Sequence, residues 1–221
     1  MCPAKPSSYA VLMGDIVGSE RAPSVPAVHR TFNKAVSNAN ELYADHIASP
    51  LTITLGDEFQ GLLTAFVHAW DTAVALRLEL LVAGISCRFV VGVATLKTPL
   101  NRKEAWNMMG TGLSAARDKL NDKRTTSAYR FSFPDAPVEE LLLDTVGDAL
   151  TQVEGAWTPT QLQYYSKSRA AKRGNADVAR KLGVSARSLY KVLHAGRADV
   201  HRRQLQAIRS ALTQLDERYF R

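Results

Sequence analysis

Leu51-Thr-Ile-Thr-Leu-Gly-Asp-Glu-Phe-Gln-Gly-Leu-Leu63 is the stretch that decides how this chain reads. Leu51, Ile53 and Leu55 alternate with Thr52 and Thr54, the two-residue period of a half-buried strand. Phe59, Leu62 and Leu63 carry a return strand, and Gly56 supplies the backbone freedom that a tight Gly56-Asp57 turn needs. The stretch is a hairpin whose tip presents Asp57 and Glu58.

Upstream, Tyr9-Ala-Val-Leu-Met-Gly-Asp-Ile-Val17 is an apolar strand that closes on a second Gly-Asp pair, at Asp15. Asp15 and Asp57 lie 42 residues apart, room for one long helix between neighbouring strands. Taken singly, Asp15 caps a turn and Asp57 shapes a hairpin. Taken together, beside a Gly18-Ser19 turn, two carboxylates at one sheet edge have the chemistry to hold a divalent metal, a hard cation with oxygen ligands. Glu58, on the return strand, is expected to point away from the pair.

The intervening segments complete a plan. Pro23-Ser24-Val-Pro26 opens a helix with Val28, Phe32, Ala35, Val36 and Ala39 on one side, running to about His46. Phe66 to Ala83 forms a second helix, ended at Gly84, and Ile85 to Ala94 a third apolar strand. Strand–helix–hairpin–helix–strand is the ferredoxin-like order. Glu104 to Leu120 reads as a loop leading into a helix, and Tyr129-Arg-Phe-Ser-Phe133 as a further alternating strand. Residues 138–153 form a helix that joins this body to the tail.

The composition, 46% apolar and 22% charged over 221 residues, is that of a globular chain able to bury a sizeable core. No apolar run reaches the roughly 18 residues of a membrane span, and Met1 to Ser8 lacks the apolar segment of a signal peptide. Cys2 and Cys87 make neither a disulfide framework nor a zinc cluster, and the five histidines are scattered, so the cytoplasm is the expected compartment. The net charge of +7 is uneven. Residues 1–156 hold 14 Lys+Arg against 17 Asp+Glu, net −3, whereas residues 157–221 hold 14 against 4, net +10. A basic tail calls for a polyanion.

That tail opens with Thr158 capping a helix and Pro159 at its first position. Asn175 to Leu193 then has helix-turn-helix spacing. Val178, Ala179 and Leu182 pack one helix, Gly183 turns, Val184 is buried, Ser185 caps the next helix, and Leu189, Val192 and Leu193 face inward. Ala186, Arg187, Ser188, Tyr190 and Lys191 are left on or near the outer face, chemistry suited to a major groove. His201, Arg202, Arg203 and Arg209 suit phosphate contacts on a following helix. The competing reading is a small basic helical domain that binds protein.

Met13-Gly-Asp-Ile-Val-Gly-Ser19 followed by Thr54-Leu-Gly-Asp-Glu-Phe-Gln-Gly61 resembles the SatD family of bacterial proteins, over most of the chain and including the tail. That family is related to the palm-type nucleotidyl cyclases, whose class III members have an Asp-Ile-x-Gly-Phe strand and a Gly-Asp hairpin. GGDEF domains have a similar Gly-Asp-Glu-Phe turn. The resemblance implies an α+β fold, with a ferredoxin-like, nucleotide cyclase-like palm over 1–156. A small all-α helix-turn-helix domain over 157–221 would read duplex DNA through Ser185, Arg187, Ser188, Tyr190, Lys191, Arg202 and Arg203. It implies Asp15, Ile16 and Asp57 as contacts to Mg²⁺ or Mn²⁺, and a nucleoside triphosphate cradled by the N–H groups of Val17, Gly18 and Ser19 at a helix start. It also implies Arg117 stabilising the transition state, across a homodimer interface. The chain departs from the cyclase pattern at Leu113, where an Asn is expected, and at Ile53, where adenylyl cyclases place a purine-reading Lys.

Three functions follow. The chain is a DNA-binding regulator whose palm senses a metal–nucleotide, an active nucleotidyl cyclase or transferase with two-metal chemistry at Asp15 and Asp57 and Arg117 at the transition state, or a scaffold that dimerises the DNA reader. Leu113 and Ile53 favour the sensor.

Overall fold

The computed structural model describes residues 8–21 and 23–220; Cys2 and the segment around it lie outside the described residues. The chain runs β1 (Ser8–Ile16), α1 (Val25–Leu42), β2 (Ile47–Ile53), β3 (Glu58–Leu63), α2 (Phe66–Val82), β4 (Cys87–Leu96), β5 (Gly110–Thr111), α3 (Leu113–Asn121) and β6 (Tyr129–Ser132). Five helices follow: α4 (Pro137–Gly155), α5 (Pro159–Ala170), α6 (Gly174–Lys181), α7 (Ala186–Ala195) and α8 (Ala198–Tyr219). The expected strand–helix–hairpin–helix–strand order is the order of the folded chain.

One mixed sheet results, ordered β2-β3-β1-β4-β5, with β6 pairing parallel to β4 and the other neighbours antiparallel. Side-chain alternation sorts the two faces. Val11, Met13, Leu62, Val90 and Ala94 pack with Ala116 and Leu120 of α3. Ala10, Leu12, Phe59, Phe89 and Val91 pack on the opposite side with residues of α1, α2 and α4. Buried on both faces, β4 has no polar side to show, which is why its sequence runs almost unbroken in apolar residues.

Local chemistry explains the remaining departures. Leu55 was expected to be half-buried, but β2 ends at Ile53 and Leu55 lies in the turn, 67% exposed, with Gly56 at φ +84°. β6 does not alternate between core and solvent; all four residues are buried. Arg130 is accommodated there because its guanidinium donates to the carbonyls of Lys119, Leu120, Asp122, Thr125 and Ser127, closing the C-terminal end of α3. Gly112 enters α3 at φ +90°, where a Cβ would stand 2.0 Å from the Val93 carbonyl oxygen; only glycine fits.

The tail is packed onto the body. Thr158 caps α5 in a capping box with Gln161, as expected, and Ser185 accepts from Ser188 N–H at the start of α7. α8 carries Asp216, whose carboxylate accepts from the N–H groups of Phe66 (2.5 Å) and Val67 (3.1 Å). It thereby caps α2, whose own N-cap residue, Ala65, has no side-chain oxygen. Trp70 Nε1 donates to the Leu205 carbonyl, and the apolar core continues into Tyr165, Leu189, Leu193, Ile208 and Leu212. The 156/157 division thus falls in the turn between α4 and α5, while the packed core crosses it. Among the described residues, no helix is long and apolar enough to cross a membrane.

Candidate functional site

Asp15 stands one residue from the end of β1, opposite Glu58 of β3 on one side and Arg88 of β4 on the other. Arg88 grips it with both arms of the guanidinium, Nε at 2.7 Å from Oδ1 and Nη2 at 2.6 Å from Oδ2, the fork that matches a carboxylate. Burial pushes the Asp15 carboxyl above its usual range, and Arg88 offsets part of that. Asp57 adds only a small further push upward, so its charge counts for less at Asp15 than burial does.

Asp57 sits in the turn just before β3. Its main-chain oxygen accepts from Ile16 N–H at 2.9 Å, and its Oδ2 accepts from the Ser19 hydroxyl at 2.7 Å. These two bonds tie the hairpin tip to the chain leaving β1 and place Asp57 at the same end of the sheet as Asp15. Gly18, at φ +72°, turns that chain back.

The expected phosphate cradle is altered. The Val17 N–H is committed to the Ser86 carbonyl at 2.8 Å, and Ser19 opens a single 3-10 turn, Ser19–Arg21, with α1 starting only at Val25. There is no α-helix N-terminus at residues 17–19.

Glu58 does not point away. It is 6% exposed, lies opposite Asp15 on the α3 side of the sheet, and its Oε1 is 3.4 Å from Arg117 Nη2. Arg117 also donates to Gln60 Oε1 at 3.2 Å, and Gln60 in turn donates to the Ala105 carbonyl. Arg117 is therefore held by its own chain. Arg88 and Gln60 escaped the sequence reading, although Arg88 is the single charge in the apolar run from Ile85 to Ala94.

Among the described residues, no group of three or more His, Cys, Asp or Glu is placed to hold a metal ion. Asp15, Asp57 and the Ile16 main-chain carbonyl offer oxygen only, although Arg88 already holds both Asp15 oxygens and Ser19 holds Asp57 Oδ2. Such a set fits a magnesium-type ion completed by phosphate oxygens, and does not fit a cage built by protein alone. Ile53 is half-buried at the end of β2, and Leu113 opens α3 packed against the α3-side core.

In the tail, α6 and α7 are joined through Leu182–Ser185, with Gly183 at φ +67°. Leu189 and Leu193 are buried, while Ser185, Arg187, Ser188, Tyr190 and Lys191 are exposed. Arg203 is exposed. Arg202 is engaged by Asp199 at 2.9 Å and Ser168 at 3.2 Å, over the Tyr165 ring. His201 corrects the expectation of a phosphate contact, being 0% exposed. Arg209 pairs with Asp71.

No curated protein matches the chain. Among solved structures, a bacterial light-regulated adenylyl cyclase is similar at 14% identity, over 57% of this chain and 76% of that one, with a TM-score of 0.42. The dimeric guanylyl cyclase domain of the RhoGC fusion protein from the aquatic fungus Blastocladiella emersonii is similar at 16% identity over 53% and 74%, TM-score 0.39. The catalytic core of a rhodopsin-guanylyl cyclase with converted specificity, in complex with ATPalphaS, is similar at 16% over 62% and 82%, TM-score 0.40. The SatD family model matches residues 9–212, spanning both the sheet and the helical tail. The chain belongs to the SatD family.

Proposed function

We propose that this protein is a cytoplasmic DNA-binding regulator that senses a nucleoside triphosphate bound with a divalent cation. The observation that carries the reading is the cluster of Asp15, Arg88 and Asp57 at one end of the sheet. Carboxylate oxygens for a cation stand there beside a guanidinium able to meet a phosphate. Asp15, Asp57 and the Ile16 carbonyl would hold Mg²⁺ or Mn²⁺, which when bound neutralises triphosphate charge. Gly18 and Ser19 would face the phosphates, and Arg88 would share itself between Asp15 and a phosphate oxygen.

Binding without turnover is favoured by Arg117, tied to Glu58 and Gln60, by Leu113 where a nucleotide-contacting Asn is expected, and by Ile53 where a purine-reading Lys is expected. The cyclase or transferase reading, with Asp15, Asp57 and Arg117 as its machinery, keeps one observation in its favour. Asp57 remains beside Asp15 although Arg88 alone balances that carboxylate.

The tail, residues 157–221, would serve as the DNA reader, with Ser185, Arg187, Ser188, Tyr190 and Lys191 at the groove, Arg202 and Arg203 beside them, and residues 1–156 as sensor. A homodimer would present two such readers to paired half-sites.

Calorimetry with Mn²⁺ and ATP or GTP tests the site. Wild type binds the metal–nucleotide, and Asp57→Asn, altered at a turn that contributes little to the core, does not. Equal binding by both proteins would make the aspartate pair mere architecture. Mass spectrometry of the same mixtures decides the second reading, since a cyclic or oligomeric product would establish an enzyme. Sedimentation of a monomer both free and on DNA would remove the dimer.

A further inference from the structure

Lys167-Ser-Arg-Ala-Ala-Lys-Arg173 packs four cations into seven residues, at the end of α5 and the turn into α6. Three of them, Lys167, Lys172 and Arg173, line a cleft of about 540 Å³ together with Lys181 and Asp177. Ala170, Ala171 and Val178 complete the lining.

The charge in this cleft is uncompensated. Asp177 is its single acid, and Lys181 (2.9 Å) and Arg180 both pair with it, holding its carboxyl below the usual range. Among the described residues, no carboxylate lies within ion-pair distance of Lys167, Lys172 or Arg173. Elsewhere in the same tail Arg202, Arg209 and Arg218 each have an acidic partner. Three like charges around one concavity repel one another unless an anion lies between them. An anion carrying more than one negative charge relieves that repulsion best.

We propose that this cleft binds phosphate groups. Arg173 supplies the planar fork and the two lysines supply mobile point charges, a combination matched to phosphate oxygens. The alanines and Val178 give the cleft an apolar side, as in sites that take small molecules. The phosphate comes either from a free phosphorylated molecule or from a DNA backbone. The site is independent of the Asp15–Asp57 cluster and of the outer face of α7.

Full-length protein tests it in two arms, calorimetry with pyrophosphate and no metal, and anisotropy with a labelled DNA duplex. The test variant is Lys172→Ala with Arg173→Ala, both exposed; Lys172→Gln with Arg173→Gln is the second form should the first lose its fold by circular dichroism. Charge-assisted hydrogen bonds of this kind are each worth about tenfold or more in affinity. The expected result is therefore at least that loss in one arm. Loss of pyrophosphate binding, with Asp57→Asn and the Arg187→Ala, Lys191→Ala variant unaffected, identifies a free phosphorylated ligand. Loss confined to DNA identifies backbone phosphate. Unchanged affinity in both arms, or no wild-type binding in either, overturns the site. Because Asp57→Asn is a control here, failure of the metal–nucleotide reading leaves the outcome readable.

Discussion

His201 Nε2 lies 3.0 Å from Glu154 Oε1, and both side chains are shut off from solvent. Around them, Tyr129 OH stands 2.7 Å from Glu154 Oε1, Arg77 Nε 2.9 Å from Oε2, and Tyr165 OH 2.6 Å from His201 Nδ1. His201 thus bridges Glu154 and Tyr165 through its two ring nitrogens, and Arg77 balances the Glu154 carboxylate. The cluster joins α2, β6, α4, α5 and α8, so it holds the tail in register on the body.

Removing one member should cost far more than an exposed ion pair would. Glu154→Gln leaves the Arg77 guanidinium buried without a counter-charge, a loss of about 3–5 kcal/mol. Urea denaturation reads it. Adding Arg77→Met to Glu154→Gln removes the unpaired charge while the introduced amide oxygen still accepts from Tyr129, and should recover part of the loss.

The same carboxylate sets an acid limit. Burial pushes Glu154 up, but the bonds from His201, Arg77 and Tyr129 outweigh it and carry the carboxyl below its ordinary range. With the folded value below the unfolded one, the unfolded chain binds more protons in the window between them, and stability rises with pH there. This contribution is complete above the ordinary glutamate range and is lost as pH falls from there through the lower folded value. The urea midpoint of wild type should drop between about pH 5 and 3, more steeply than that of Glu154→Gln.

Capping across the chain predicts a smaller effect. Asp216→Ala frees the N–H groups of Phe66 and Val67 and should cost about 1 kcal/mol, the usual value of a lost N-cap, whereas Asp216→Asn keeps an acceptor and should cost less. Thermal melts of the two variants rank them.

Cys87 should be inert in the native state. Burial pushes its thiol up to about 12, although Arg77 nearby works in the other direction. Alkylation at pH 8 should spare Cys87 in native protein and modify it fully in urea, followed by mass spectrometry of its peptide. Fast native labelling would mean that β4 opens readily.

DNA affinity should fall in Arg187→Ala with Lys191→Ala, and the slope of log affinity against log salt should shrink by about 1.8, the release of two counterions. Anisotropy at several salt concentrations measures it. An unchanged slope would remove α7 from the interface.

That Asp15 and Asp57 fall at one end of the sheet was legible because strand period and a repeated Gly-Asp are local signals. The side on which Glu58 falls was not. Asp57 ends the turn, so Glu58 becomes the first paired residue of β3 and faces as Asp15 does; one residue of register reverses a strand's faces. Arg88 stood out as a charge in an apolar run, but its partner depends on which strands pair. His201 was misread because the basic run His-Arg-Arg conceals a helical stripe. Ala198, His201, Leu205, Ile208, Leu212 and Leu215 share one buried face of α8. The docking of α8 was beyond local reading, since Asp216 and Phe66 are 150 residues apart.

That separation has a consequence for how the protein is made. At about 5–20 residues per second, a ribosome releases Asp216 roughly 8–30 seconds after Phe66. Until then the first turn of α2 has no cap, and Phe66 lacks the rings of Tyr219 and Phe220 that close over it. The nascent body waits with an aromatic face uncovered, a natural target for a chaperone. A fragment ending near residue 156 would keep that face open permanently. The helical tail is thus a wall of the body's own interior, and the aromatic face around Phe66 stays uncovered until α8 has left the exit tunnel.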